Sequence, residues 1–398
     1  MSDLDAFRQE ISRWLVENCP ESQRQPARHV SDLMYGGKKS EHYPSKDAEI
    51  WLQRCAEKGL TMPQWEQKYG GGGYSAQEAK IIKKEMKALG CRQPLFGHGV
   101  WMLGPALYEF GSEEQKLFHL PKICRGEIRW CQGYSEPGAG SDLASLRTKC
   151  EDKGDHWLVN GQKSWTTDGH KADWIFALVR THADGKKQEG ISFILIDMET
   201  PGIEVNPITL INGNQDFCDT FFTDVKVPKE NVVGGLHKGW SVAKGLLGHE
   251  RTMMSQLQEF VPPLPLSLVD YAKQYIGLDA NGKLANAEFR QQLTQALMNQ
   301  KAMQLSHGRA FEEGMAGVID MTSVSYFKAA GTESDKCTEE LRTAMMGAAG
   351  VGWEGDGFDE ERELNAHRKL LESKVYSLGG GTTEVQWNVV AKKLGLPE

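Results

Sequence analysis

Apolar positions near the start of the chain recur with helical spacing. Leu4, Phe7, Ile11, Trp14 and Leu15 fall on one stripe of a 3.6-residue period. Ala79, Ile82, Met86 and Leu89 repeat the pattern, and Gly90 follows where a helix C-cap belongs. Four glycines between Tyr69 and Tyr74 read as a loop between helices. Residues 1–125 are therefore expected to form an N-terminal α-helical domain. The character changes over 127–233, where short runs rich in β-branched and aromatic residues are each bounded by turn signals. The runs cover 156–159, 173–179, 191–196 and 219–227. Asn160-Gly161 supplies the φ > 0 positions of a type I′ turn, so a hairpin is expected there. This spacing predicts a compact antiparallel barrel or sandwich over 126–234. The helical period then returns over 235–398. Trp240, Ala243, Leu246 and Leu247 share a face, and later helices are predicted at 285–310, 335–346 and 384–394. Helices, strands and helices again do not make a doubly wound sheet. No GxGxxG opens a βαβ unit, which argues against a Rossmann nucleotide site, and no internal repeat stands out.

At 398 residues the chain can bury a large core. It carries 46 basic and 54 acidic residues, a formal net charge of −8, which argues against a nucleic-acid partner. No apolar run approaches the roughly 20 residues that span a bilayer, so no membrane association is expected. The acidic, amphipathic N-terminus fits neither a secretory signal nor a transit peptide, and the expected location is cytoplasmic. Eight cysteines form no CxxC pair, and their spacing has no zinc pattern. In a cytosolic chain they are expected to stay reduced. There is no HExxH, and no metal is expected. The 43 glycines exceed the usual share of about 7%, and many fall in clusters where the backbone needs positive φ or close approach.

Four segments, in order, resemble the acyl-CoA dehydrogenase family. They are WCQGYSEPGAGSD at 130–142, VNGQKSWTTDG at 159–169, VKVPKENVVG at 225–234 followed by Gly239-Trp240 and Glu250-Arg251, and GGGTTEVQ at 379–386 leading to LGLPE at the end. The resemblance covers almost the whole chain. It implies an α+β fold with an N-terminal helical domain, a middle antiparallel β-barrel and a C-terminal four-helix bundle, with FAD between barrel and bundle. It also implies α,β-dehydrogenation of an acyl-CoA thioester to the trans-2-enoyl-CoA. A proton leaves Cα, a hydride leaves Cβ for flavin N5, and the electrons pass to an electron-transfer flavoprotein. The α-proton becomes removable only when the thioester carbonyl is polarised and a carboxylate waits beside it.

The same resemblance implies site residues. Tyr134 and Ser135 match the loop lying along the flavin, with Gln132 near its edge. Trp165 matches the residue packed on the isoalloxazine, Thr167 the hydroxyl reaching N5, and Ser141 a contact to the CoA part of the substrate. Gly347 and Gly350 resemble the loop that meets a neighbouring subunit's cofactor, and Thr382 and Glu384 match further cofactor contacts. Each residue has a plainer reading on its own. Ser-Glu-Pro-Gly is an ordinary turn, Trp165 a core aromatic, and Thr167 a satisfied strand residue. Together and in register, they favour the flavin.

The base departs from the commonest family pattern. Many members carry a Glu immediately before the Gly-Thr of the C-terminal motif, where this chain has Gly380, and a glycine takes no proton. Either the chain is a non-catalytic subunit or the base has moved. Isovaleryl-CoA and long-chain acyl-CoA dehydrogenases place it on the first helix of the C-terminal bundle, directly before an Arg. Glu250 stands there, ahead of Arg251, which would order the bundle or seat the CoA arm. The competing reading is a solvated Glu-Arg helix pair. Enclosure with an apolar acyl chain raises a carboxyl's pKa and improves it as a base. Glu384 is set aside as the base because it matches a cofactor-side position.

The family's Arg-x-x-Phe-Gly, which reaches across a dimer to the FAD pyrophosphate, is not reproduced at 271–278; Arg290 is a candidate substitute. A homodimer or homotetramer is expected, with a mixed complex left open. The stretch VPPLPL at 261–266 must be a loop, lining the acyl end of the pocket or packed on the surface. A base on the early helix favours a branched or ring-bearing acyl group. An acyl-CoA oxidase is the enzymatic rival, and a non-catalytic partner subunit the rival of another class.

Overall fold

The computed structural model describes residues 3–25, 27, 30–256, 266–316, 318 and 321–396. The N-terminal segment is helical as its pattern predicts, with α1 (Asp3–Asn18), α2 (Lys46–Glu57), α3 (Ala76–Leu89), α4 (Gly104–Phe110) and α5 (Glu113–Cys124). The first stripe buries Ile11 and Leu15 against Trp51, Cys55, Ile82 and Met86, while Leu4 at its frayed end stays exposed. Ser75 starts α3 with a capping box to Glu78, and Gly90 ends it in the left-handed conformation. A single π-type turn, Gly99–Leu103, precedes α4.

Eight strands follow: β1 (Trp130–Gly133), β2 (Lys149–Asp152), β3 (His156–Thr167), β4 (Trp174–Arg180), β5 (Ile191–Asp197), β6 (Ile203–Ile208), β7 (Phe217–Pro228) and β8 (Val232–Val233). They form one sheet in the order β6-β7-β3-β2-β4-β5-β8, with β1 paired to β4 off this path. Two features correct the expected antiparallel barrel. The sheet is mixed, because β1 and β2 both run parallel to β4. It is also not closed. Its end strands are β6, which pairs only with β7 and carries Pro207, and the two-residue β8, and no ladder joins them. A proline lacks the N–H that a second neighbour would need, so β6 suits an edge.

The predicted hairpin at Asn160-Gly161 is a second correction. β3 runs straight through it, with a register shift between Val159 and Gly161. Gly161 sits at φ 151°, and a Cβ there would lie 2.7 Å from the Thr148 backbone. The glycine therefore serves a bulge and a close approach. The neighbouring Asn160 exchanges hydrogen bonds with Asp224 on β7 (3.0 and 2.8 Å), which fixes that bulge.

The sheet has apolar side chains on both faces. Ile175, Ala177 and Val179 of β4 join Val159, Ile194, Ile196 and Val225 in one cluster. Phe176 and Leu178 join Phe193, Leu195 and the N-terminal helices in another. Burial on both faces explains why β4 and β5 read as continuous apolar runs.

The last segment is helical: α6 (Gly239–Gln256), α7 (Leu268–Tyr275), α8 (Ala287–Met315), α9 (Met321–Met346), α10 (Asn365–Ser373) and α11 (Thr383–Lys393). The helix predicted at 335–346 already begins at Met321. It continues through Gly331 despite the poor helix propensity of glycine. By packing, the chain divides into Met1–Thr209 with Gln215–Pro262, and Leu210–Asn214 with Pro263–Glu398. In the first unit, α6 lies on β5 and on the π-type turn. The second unit has its own core, around Leu268, Tyr271, Leu293, Leu341 and Met345. Of the proline-rich stretch at 261–266, residues 261–265 lie outside the described residues. No helix among the described residues is long and apolar enough to cross a membrane.

Candidate active site

Alternation along β1 sends Cys131 into the cluster between the strands, and sends Trp130 and Tyr134 toward the helices. Gln132 lies between them on that second side and is half-buried. The Tyr134 ring packs edge-on against Phe176 and Phe193, with centroids at 6.1 and 6.4 Å. Its backbone faces the other way. Lys163 on β3, with a fully buried side chain, donates to the Tyr134 carbonyl (3.2 Å), and the Ser164 N–H donates to the Ser135 carbonyl (2.9 Å). In a trans peptide the Ser135 N–H points opposite the Tyr134 carbonyl, so it is turned away from Lys163. This leaves it available to a ligand along the strand edge.

Sequence reasoning missed what fixes this edge. The Lys163 ammonium meets the Glu136 carboxylate at 2.7 Å. That carboxylate also accepts from the Thr148 hydroxyl (2.6 Å) and from the N–H groups of Arg147 and Thr148 (2.6 and 2.9 Å). Burial pushes the Glu136 carboxyl up, but Lys163 and these donors outweigh it and hold it below the usual range. Both residues lay inside the motifs that pointed to the flavin.

Two residues beyond Lys163, Trp165 takes a left-handed backbone (φ 62°) within a second register shift of β3, and its side chain is 56% exposed. Phe217 stacks near it, edge-on at 6.1 Å. A non-glycine residue in this region persists only where its surroundings over-determine it. Thr167 ends β3 opposite Phe217, and the next residue, Asp168, is again left-handed (φ 52°). Arg129 pairs with Asp168 at 2.5 Å and Lys171 with it at 3.0 Å, while the Arg129 guanidinium lies 4.5 Å from the Tyr35 ring. Burial raises the Asp168 carboxyl, yet these cations hold it below the ordinary aspartate range. This pairing was also absent from the sequence reading, because Arg129 sits one residue outside the first motif.

On α6, Val242, Ala243 and Leu246 form the buried stripe of the cluster that includes Tyr134. Glu250 lies four residues past Leu246 on the same stripe and is half-buried. Gly239 lets the start of α6 approach β5, since a Cβ there would come within 2.4 Å of the Ser192 backbone. Burial raises the Tyr134 phenol well above its ordinary value, and the Glu250 charge adds to that rise. The structure therefore brings Gln132, Tyr134 and Glu250 into one neighbourhood. The neighbouring His249 faces Glu109 at 3.7 Å. Ser141 is exposed in the loop after β1, and the side chain of Arg251 lies outside the described residues.

The remaining candidates belong to the second unit. Gly347 (φ 57°) and Gly350 share the turn after α9. A Cβ at Gly350 would come within 2.3 Å of the Thr343 carbonyl, and His367 contacts the Gly350 carbonyl at 2.9 Å. Gly380 and Gly381 are both left-handed. Thr382 caps α11 by accepting from Val385 (3.3 Å), and Glu384 sits exposed in the first turn. Arg290, the proposed substitute, donates to the Leu284 carbonyl at 3.2 Å.

Within the first unit, the groups around Tyr134 and Trp165 suit a flavin. The exposed indole on a strained backbone offers a flat apolar face, and the anchored Tyr134–Ser135 edge offers a backbone donor.

Comparison with known proteins agrees. The models of the acyl-CoA dehydrogenase N-terminal, middle and C-terminal domains match residues 4–127, 131–225 and 237–395. The acyl-CoA dehydrogenase IpdE1 of Mycobacterium tuberculosis is 33% identical over 400 residues, covering 100% of this chain and 99% of its own length. FadE34 of the same organism is 34% identical over 352 residues, 86% of this chain and 45% of its own. Among solved structures, the Tcur3481-Tcur3483 steroid ACAD superposes with a TM-score of 0.73 at 28% identity, covering 99% of this chain and 98% of its own. The ChsE4-ChsE5 complex from Mycobacterium tuberculosis gives a TM-score of 0.70 at 25% identity, covering 100% and 98%.

Proposed function

The chain belongs to the acyl-CoA dehydrogenase family, and from that premise we propose that Glu250 removes the α-proton of an acyl-CoA thioester. Membership makes it an FAD-dependent oxidoreductase acting on a CH–CH group. FAD, when bound, accepts the hydride that leaves Cβ. The proton leaves Cα for the Glu250 carboxylate, the electron pair of that C–H bond becomes the new double bond, and the product is the trans-2-enoyl-CoA. One observation carries this reading. The C-terminal motif has Gly380 where a carboxylate would stand, while Glu250 extends the buried stripe of α6 toward Tyr134. A base acts through reach, so a carboxylate from a different helix serves equally well.

The other residues position the reactants. Ser135, Trp165 and Thr167, with Gln132 and the Tyr134 backbone, hold the flavin's ring system; Gly347, Gly350, Thr382 and Glu384 serve the rest of the cofactor. Ser141 and Arg251 contact the CoA arm. Electrons leave through an electron-transfer flavoprotein. A solved relative named as a steroid ACAD supports a bulky, ring-bearing acyl group, and one named as a ChsE4-ChsE5 complex supports a mixed assembly beside the homo-oligomer.

The test is Glu250→Gln, read by anaerobic bleaching of the flavin band with a panel of acyl-CoA thioesters. The flavin stays bound, and reduction slows by about 10²–10⁴-fold, the usual worth of a positioned general base. A variant that bleaches at the wild-type rate removes Glu250 from the mechanism. Peroxide release during aerobic turnover identifies an oxidase instead. A wild-type chain that bleaches only after a second subunit is added is a partner of a mixed complex.

A further inference from the structure

Among the described residues, the mechanism leaves a buried hydroxyl near the base without a role. The Tyr134 hydroxyl is shielded from solvent and, among the described residues, has no hydrogen-bond partner; Gln132 is its polar neighbour, but the two do not meet hydrogen-bond geometry. Buried hydroxyls are almost always paired, so an orphan one calls for a reason. Packing does not supply it. The ring already packs edge-on against the stacked pair Phe176 and Phe193, and a phenylalanine would fill its place as well without an unmatched oxygen. Nor does the flavin edge, because Tyr134 faces that side through its backbone, with its carbonyl on Lys163.

Where the hydroxyl sits defines what can meet it. Tyr134 shares its apolar cluster with Leu246, and Glu250 is the next residue along that stripe. If Glu250 takes the α-proton, it lies within hydrogen-bond reach of Cα, and the neighbourhood of Tyr134 receives the acyl carbons around Cα and Cβ. This part of the argument rests on the proposed function. Trp130 and Gln132 present further polar tips on the same side of β1, and the buried indole N–H of Trp130 also lacks a partner among the described residues. A surface for a plain alkyl chain needs no such donors.

We infer that Tyr134 is a specificity-determining residue, whose hydroxyl donates to an oxygen carried by the acyl group itself. The substrate class is an acyl-CoA bearing a ketone or hydroxyl oxygen within a few bonds of Cβ. A site built to hydrogen-bond a substrate oxygen discriminates strongly against the analogue lacking it, because its own donor is then left buried and unpaired.

The experiment compares two thioesters on the FAD-loaded enzyme, 3-(2-oxocyclohexyl)propanoyl-CoA and 3-cyclohexylpropanoyl-CoA. It uses the wild type and Tyr134→Phe. Binding of the corresponding 3-thia analogues, which have no Cβ hydrogen to lose, is titrated in parallel. The wild type favours the oxygenated thioester by about 10- to 100-fold in kcat/KM, and Tyr134→Phe brings the ratio to within about threefold, with the analogue dissociation constants following. Equal handling of the pair by the wild type overturns the inference. So does a variant that loses equally on both, since the hydroxyl would then serve the thioester common to them or the packing alone. The two readings fail separately. An active Glu250→Gln enzyme removes the base and with it the placement of Tyr134. An inactive Glu250→Gln enzyme whose parent handles both thioesters equally removes only the specificity role.

Discussion

With its side chain fully buried, Lys163 has Glu136 in place of water, and the loop after β1 hangs on that pair. Removing one member of such a pair strands the other charge in a low-dielectric setting. Glu136→Gln is expected to lower the free energy of unfolding by about 3–5 kcal/mol, measured by chemical denaturation. The joint replacement Lys163→Met with Glu136→Leu recovers most of that loss. The pH dependence has a definite sign. The Glu136 carboxyl is depressed in the folded state, so its contribution is present above the ordinary glutamate value of about 4.3 and is lost as pH falls through the lower folded value. Below pH ~4, the stability of Glu136→Gln therefore falls less steeply than that of the wild type. At this scale the candidacy of Glu250 rests on the glycine at 380 and the Glu-Arg pair. The pairs Lys163–Glu136 and Arg129–Asp168 were not legible in the sequence. They join residues 27 and 39 positions apart, and spacing alone does not reveal which charges end up without water.

Among the elements, β3 carries the most instruction. It is a single strand with two register shifts, one allowing close approach to Thr148 and the other turning Trp165 outward. Gly161→Ala places a Cβ 2.7 Å from the Thr148 backbone at a φ that L-residues avoid. A cost of about 1–3 kcal/mol is expected, seen as a shifted denaturation midpoint, and an unchanged midpoint would mean that the bulge can relax. Asn-Gly signalled positive φ correctly, since Gly161 does adopt it. It did not distinguish a turn between two strands from a bulge within one: of the pair Gly161 alone takes positive φ, at 151°, while a type I′ turn needs it at both central residues. Helices were more readable. The periods of α1, α3 and α6 named their buried faces in advance, and Gly90 marked a real C-cap.

For the molecule as a whole, FAD binding and folding are linked. Since the cofactor binds the folded chain, free FAD at 100 times its dissociation constant is expected to add about 2.7 kcal/mol of apparent stability. Stripping the flavin therefore lowers the thermal midpoint, and titrating FAD back raises it with concentration; a midpoint indifferent to FAD would count against the site. The amino-acid sequence by itself determined the succession of helical, strand and helical segments. Its four ordered motifs determined the family, and it set at position 380 a glycine, which takes no proton. These are local properties, carried by periodicity and by residue types at fixed spacing. Tertiary structure alone decided that the sheet is mixed and open, that Lys163 and Glu136 are sealed together, and that the Tyr134 hydroxyl lies unmatched beside the stripe leading to Glu250. Each of those depends on which distant segments meet. A repeating pattern specifies the face an element buries, but not the partner it buries that face against.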